Sequence, residues 1–351
     1  GEGDGPAGDL LVPPPRDFTS GLYKIKSTPF DEDFPNDVDL FRMITDGMPG
    51  TDMPGWKDII KDEQDRWDLV AYIKYFAELE EEPGVSVDYG TQVTTSEDSI
   101  AKGKKLFHEG DRCSECHGQD GKGDGIKKLK GDNGERTWPR NLTKPWTFRA
   151  SSDPKDIFTR VSTGIPGTQM PAFANPKSKV MLSVEERWHV SNYVQSLAKT
   201  DKTVRAENTV VKANRIEGDV PSNPNDPAWD TAELTTFMLV PQIFEKDRVF
   251  TYANDTVTLS AFYNETEIAM LLEWDDRTKS IPGNPDIDKI ADKVPFEDMV
   301  SVQLPVTIPE GTQKPYFING DTSNPVNLLT WRSGTVDAKE SVSIANGAGS
   351  E

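Results

Sequence analysis

Cysteine and histidine are scarce: the 351 residues hold two cysteines and three histidines. Two cysteines close together in sequence cannot tie distant segments to each other, so no disulfide framework supports the fold. A zinc site built on cysteine pairs needs a second pair, and there is none. Long apolar runs are also missing, and no stretch of 18 residues reads as a membrane-spanning helix. Gly1-Glu2-Gly3-Asp4-Gly5 does not read as an export signal, so any such signal is expected to be removed or to lie outside the sequence. Positive charge is in deficit. With 39 Lys and Arg against 59 Asp and Glu, the formal net charge is −20. That balance argues against nucleic acid as the main partner, because phosphate binding needs clustered basic side chains.

Glycine (27) and proline (26) are plentiful, so many and long loops are expected from a chain of two to three domains. The charge is uneven: about −13 over residues 1–90, +5 over 91–203 and −12 over 204–351. A mildly basic middle between acidic flanks could steer a partner protein, although solubility alone also accounts for it.

Both cysteines sit in Cys113-Ser114-Glu115-Cys116-His117. C-x-x-C-H is the attachment pattern for a c-type haem: each thiol adds to a vinyl group and the adjacent imidazole reaches the iron. A redox dithiol of the thioredoxin kind would sit in a βαβ context, and none is visible. The second axial donor is expected from a loop that can present sulfur. Met170, in Gly167-Thr168-Gln169-Met170-Pro171, lies 53 residues after His117 and is the first candidate. His108 and His189 read as packing or surface residues of two helices. The first helix runs through Ala101–Phe107, with Gly103 and Phe107 on one face. The second opens with Ser183 as N-cap and Glu186 three residues on, and continues with Val190, Tyr193, Val194 and Leu197 at helical period.

With these residues in place, residues 95–200 resemble a class I cytochrome c domain. The resemblance implies crossed terminal helices, His117 and Met170 as axial ligands, and outer-sphere electron transfer without substrate chemistry at the haem.

The first 85 residues repeat this pattern. Gly1-Glu2-Gly3-Asp4-Gly5 matches Gly121-Lys122-Gly123-Asp124-Gly125, and Pro15-Arg16-Asp17-Phe18-Thr19 matches Pro139-Arg140-Asn141-Leu142-Thr143. Met48-Pro49-Gly50-Thr51-Asp52-Met53-Pro54 matches Ile165-Pro166-Gly167-Thr168-Gln169-Met170-Pro171, and Arg66-Trp67 matches Arg187-Trp188. The first copy lacks the leading helix and the C-x-x-C-H. By the alignment its His falls about four residues before Gly1. The expectation is that the sequence begins inside a second cytochrome c domain, with Met53 as sixth ligand of another haem c. Met48, which aligns with Ile165, ranks behind it.

Beyond residue 204 the period changes to two. Val257, Leu259 and Ala261 alternate with polar residues. Ile268, Met270, Leu272 and Trp274 do the same after a polar break at 263–266, which reads as a β-hairpin. Val302, Leu304 and Val306 mark another strand. With dense turns around 221–227, 282–285 and 319–321, an antiparallel sandwich is expected. The end, 341–350, is small and polar and reads as a tail or a truncation.

Asp226-Pro227-Ala228-Trp229, Leu272-Glu273-Trp274-Asp275-Asp276 and Gly320-Asp321-Thr322-Ser323-Asn324-Pro325-Val326-Asn327-Leu328 resemble the haem-binding γ subunits of the DMSO-reductase superfamily, as in ethylbenzene dehydrogenase and nitrite oxidoreductase. The resemblance implies molybdopterin and iron–sulfur subunits as partners, acting on nitrite or nitrate. It also implies a b-type haem held by a Met and a Lys. Here Ile318 and Asn319 stand where the Met is expected, and Met238, Met270 and Met299 read as core residues, so a haem b in this domain stays open. The sandwich also resembles carbohydrate-binding modules.

The expected architecture is therefore multidomain: two mainly α cytochrome c domains (1–90 and 91–203) and a C-terminal all-β antiparallel sandwich (204–351). The leading function is electron transfer by a non-catalytic haem subunit of a molybdopterin oxidoreductase, on the periplasmic or extracellular side of a bacterial inner membrane. A stand-alone multihaem relay and a surface-binding module carrying cytochromes are the alternatives.

Overall fold

The computed structural model describes all residues except 7, 9–10, 12–14, 50, 79–83, 126, 132–133, 135, 199–209, 240–255, 277–297, 311–314, 316–319, 334–341 and 348–351. The helices are α1 (Asp37–Asp46), α2 (Glu63–Phe76), α3 (Glu97–His108), α4 (Ser114–His117), α5 (Pro154–Thr163) and α6 (Val184–Ser196). The strands are β1 (Leu129–Lys130), β2 (Arg136–Thr137), β3 (Ala213–Arg215), β4 (Thr235–Met238), β5 (Thr256–Tyr263), β6 (Ile268–Trp274), β7 (Met299–Pro305), β8 (Val326–Arg332) and β9 (Val342–Gly347). The chain divides into two compact units, Gly1–Asp275 and Asp276–Glu351, and the stretch 204–351 expected to form one domain spans both. Among the described residues no helix is long and apolar enough to cross a membrane.

In the first unit, α3 starts where Ser96 accepts a hydrogen bond from the Ser99 amide, with Glu97 and Asp98 placed to favour the helix dipole. Helix α6 opens with the predicted capping box of Ser183 and Glu186. The two helices touch at Gly103. A Cβ there would lie 2.0 Å from the His189 carbonyl oxygen and 2.7 Å from Tyr193 Cβ, so only hydrogen fits. This approach closes an apolar core that includes Phe107, Cys113, Ile157, Val161, Phe173 and Val190.

The sequence repeat recurs bond for bond. Helices α1 and α5 both end at a glycine with positive φ, Gly47 (72°) and Gly164 (65°). After α1, the Met48 amide donates to the Met53 carbonyl (3.0 Å) and the Thr51 hydroxyl to the Met48 carbonyl (2.7 Å). After α5, Ile165 donates to Met170 (3.2 Å) and Thr168 to Ile165 (2.8 Å). Phe41 stacks on Trp67 at 4.2 Å, and Phe158 on Trp188 at 4.3 Å.

The two segments meet along α5. Arg42 grips Asp156 through two bonds of 2.6 Å, Arg160 donates to the Lys24 and Lys26 carbonyls, and Arg149 donates to the Pro49 carbonyl. Burial pushes the Asp156 carboxyl up, but the bonds from Arg42 and Ser151 and the charges of Arg42 and Arg160 outweigh it. The net result is a carboxyl held below its ordinary value.

The predicted hairpin forms, with Val257 opposite Trp274 and Tyr263 opposite Ile268. Strand β4 is antiparallel to β5, but β3 runs parallel to it, a departure from the all-antiparallel expectation. The 40 residues between Arg215 and Thr256 are ample for the crossover that parallel pairing needs. The faces also differ from expectation. Thr256, Thr258, Ser260 and Phe262 are buried, while Val257 and Leu259 are half-buried. Thr258 and Thr236 satisfy each other at 3.0 Å, and Trp229 covers Phe262 at 5.3 Å. Period two shows which side chains share a face, not which face is covered.

The second unit is an antiparallel sheet in the order β7-β8-β9. A turn at Asp321–Asn324, closed by reciprocal backbone bonds of 3.2 and 3.1 Å, leads into β8 and the fully buried Val326. Strand β9 pairs Val342 with Trp331 and Gly347 with Val326, so the polar end read as a tail holds a strand. Met299, expected in a core, is 55% exposed. Ile318 and Asn319 lie outside the described residues.

Two outcomes are expected. Gly103→Ala should cost about 1–3 kcal/mol, measured by denaturant unfolding of the full chain, because the helices must part. Asp156→Asn should cost about 1–2 kcal/mol at neutral pH. A carboxyl depressed in the folded state stabilises fully above its ordinary value of 3.8 and loses that contribution as pH falls through the folded value. The difference between wild type and variant should therefore shrink in acid.

Candidate functional site

One helical turn sets the central motif. The Cys116 and His117 amides donate to the Cys113 carbonyl at 3.2 and 2.8 Å, which places the two sulfur-bearing residues a turn apart with the imidazole next in line. The thiols are not joined to each other; Cys113 is buried and Cys116 half-buried. Burial pushes the Cys113 thiol up to about 12 and raises that of Cys116 as well. Protonated thiols do not suit a thiolate-driven redox dithiol.

The segment after the motif folds back over it. Gly123 donates to the His117 carbonyl at 2.8 Å. A Cβ on Gly125 would come within 2.3 Å of the Cys116 carbonyl oxygen. The repeat had marked Gly123 and Gly125 as a matching block without indicating this packing role. Their signal was the glycine spacing itself.

His117 Nδ1 lies 2.9 Å from the Arg140 carbonyl oxygen. A carbonyl only accepts, so the proton sits on Nδ1 and the lone pair on Nε2, the tautomer that ligates a metal. Arg140 also escaped the sequence reading as a site residue, because its contribution is a backbone oxygen.

Met170 sits in the loop after α5, half-buried, and packs against the same apolar cluster as Cys113. Its amide donates to the Thr168 hydroxyl at 3.2 Å. Gly164 lets the loop turn back, since a Cβ there would lie 2.7 Å from the Met170 carbonyl oxygen. Met170 also lines a cleft of about 200 Å³ with Lys26, Phe30, Thr163 and Ile165.

The other candidates fall elsewhere. His189 is buried between helices, bonded to Ser99 at 2.8 Å. The His108 ring nitrogens lie 2.7 and 2.9 Å from the Lys104 and Gln119 carbonyls. Met53 holds the equivalent place in the first repeat, half-buried, outside the cluster that joins Cys113 and Met170. Among the described residues no three His, Cys, Asp or Glu side chains gather as a metal cluster. Two thiols one turn apart, an imidazole with its lone pair on Nε2 and a thioether against one apolar cluster form the donor set that fits a covalently attached haem.

The family model for cytochrome c matches residues 100–198, and that for ethylbenzene dehydrogenase matches residues 226–350. No curated protein matches the chain. Among solved structures, a chain of the Kuenenia stuttgartiensis reducing HAO-like protein complex Kustc0457/Kustc0458 is similar, with 38% identity and a TM-score of 0.50. The match covers 57% of this chain and 88% of that one. At that identity over most of the relative's length, the chain belongs to the relative's family, with a cytochrome c domain at residues 100–198 and an ethylbenzene dehydrogenase-type domain at residues 226–350.

Proposed function

We propose that this chain is an electron-transfer haem subunit of an oxidoreductase complex. The observation that carries the reading is the donor set: Cys113 and Met170 against one apolar cluster, and His117 with its lone pair on Nε2. A haem c bound there supplies one-electron chemistry. Cys113 and Cys116 would anchor it, and His117 and Met170 would ligate its iron. With both axial positions filled, substrate chemistry falls to a partner. The apolar wall of Phe107, Val161 and Phe173 would exclude water from a haem held there and so favour its less charged, ferrous state.

The reading extends to the rest of the chain as two cytochrome c domains, 1–90 and 91–203, and a β-sandwich, 204–351. The repeated loop bonds around Met53 support assigning it as the sixth ligand of a second haem c. The match to ethylbenzene dehydrogenase supports a molybdopterin partner with an iron–sulfur subunit. The Kuenenia relative, a chain of a complex, supports work inside an assembly. Haem c attachment would support a location on the periplasmic or extracellular side of a bacterial inner membrane.

The pyridine haemochrome spectrum and intact mass of the native protein test this reading. Covalent haem c is expected, and Cys113→Ser/Cys116→Ser should lose the haem assigned here; a wild type with no covalent haem sinks the proposal. Two covalent haems would support Met53, and a non-covalent b-type signal would add a haem b in the C-terminal domain. Met170→His should lower the reduction potential, because an imidazole replaces a thioether that favours the ferrous state. Molybdenum should co-purify with the native complex; covalent haem without it would favour a stand-alone relay.

A further inference from the structure

We infer that Asp275, at the end of β6, is a positioning residue for the axial imidazole of His117. The inference rests on the haem c reading above. His117 Nδ1–H donates to the Arg140 carbonyl at 2.9 Å. A carbonyl has no side chain with which to aim itself. The Arg140 C=O shares one planar peptide with the Asn141 N–H, so the orientation of Asn141 sets where that oxygen points.

Asn141 is buried and held at both ends of its side chain. Its Oδ1 accepts from the Thr143 amide (2.9 Å) and the Thr143 hydroxyl (2.8 Å). Its Nδ2 donates to Asp275 Oδ1 at 2.9 Å. The same oxygen lies 2.9 Å from Lys144 Nζ, with side chains only 17% and 22% exposed, so the pair is weakly screened. Asp275 follows directly on Trp274, which pairs with Val257 across the sheet. A rigid strand thus anchors the segment that holds the imidazole.

A firm bond at Nδ1 makes Nε2 a stronger donor and favours ferric iron. Loosening the anchor should weaken that bond and raise the potential. The sheet thereby tunes the haem on the helical domain, and whatever displaces β6 reaches the iron through Asp275 and Asn141.

The test uses the haem-loaded full chain and two readouts, the reduction potential and the solvent exchange of the His117 Nδ1 proton by NMR of the ferrous protein. Asp275→Ala and Asn141→Ala should each raise the potential and speed exchange about tenfold, as expected for loss of one buried hydrogen-bond support. Asp275→Asn, which keeps an acceptor for Asn141 Nδ2, should retain near wild-type exchange. If Asp275→Ala fails to fold, Asn141→Ala reads the same coupling from its other end. Unchanged exchange in the haem-loaded alanine variants overturns the inference. So does a potential that rises equally in Asp275→Asn and Asp275→Ala with exchange unmoved, since that is the signature of charge alone. A wild type without covalent haem removes the functional reading itself, a result distinct from both.

Discussion

The contact at Gly103 is the one on which the helical domain depends. With only a hydrogen facing the His189 carbonyl, α3 and α6 come together backbone to backbone, and Phe107 is carried against Tyr193 at a ring separation of 5.3 Å. That pairing forms one wall of the core in which Cys113 is buried and against which Met170 packs. The same burial raises the Cys113 thiol. Packing of two helices therefore decides the chemical character of a motif that lies on neither of them.

Around this core the chain uses backbone groups to aim functional side chains. The Arg140 carbonyl sets the His117 tautomer, and the turn at Gly164 sets the Met170 loop. Both devices need peptide groups held in place from outside. For the Met170 loop the support is α5, clamped to the first repeat by Arg42–Asp156 and Arg160. For the His117 imidazole it is Asn141, tied to the end of β6. Segments on either side of the cytochrome c domain thus brace the Met170 loop and the segment that holds His117.

Much of this was legible in residue order. C-x-x-C-H names a covalent chemistry, and the spacing of Ser183 and Glu186 marked the start of α6. The repeated Gly-Thr-x-Met-Pro blocks foretold two loops with the same bonds, because turn chemistry is local. The sheet was harder. Alternation found β5 and β6, yet the buried row is Thr256, Thr258, Ser260 and Phe262, with Thr236 of the neighbouring strand bonded to Thr258 and Trp229 packed on Phe262. The parallel pairing of β3 and the strand β9 in a polar end were likewise invisible, because both depend on partners distant in sequence.

The sequence by itself determined the C-x-x-C-H motif at Cys113–His117, the methionine loop at Met170 and the repeated Gly-Thr-x-Met-Pro blocks. Each is written in short strings whose chemistry or turn geometry needs no distant partner. Only the tertiary structure decided which nitrogen of His117 carries the proton, that Cys113 and Met170 share one apolar cluster, and that Asp275 reaches Asn141. Those facts rest on carbonyl directions and on contacts between residues up to 134 apart in the chain, which spacing along a sequence does not encode.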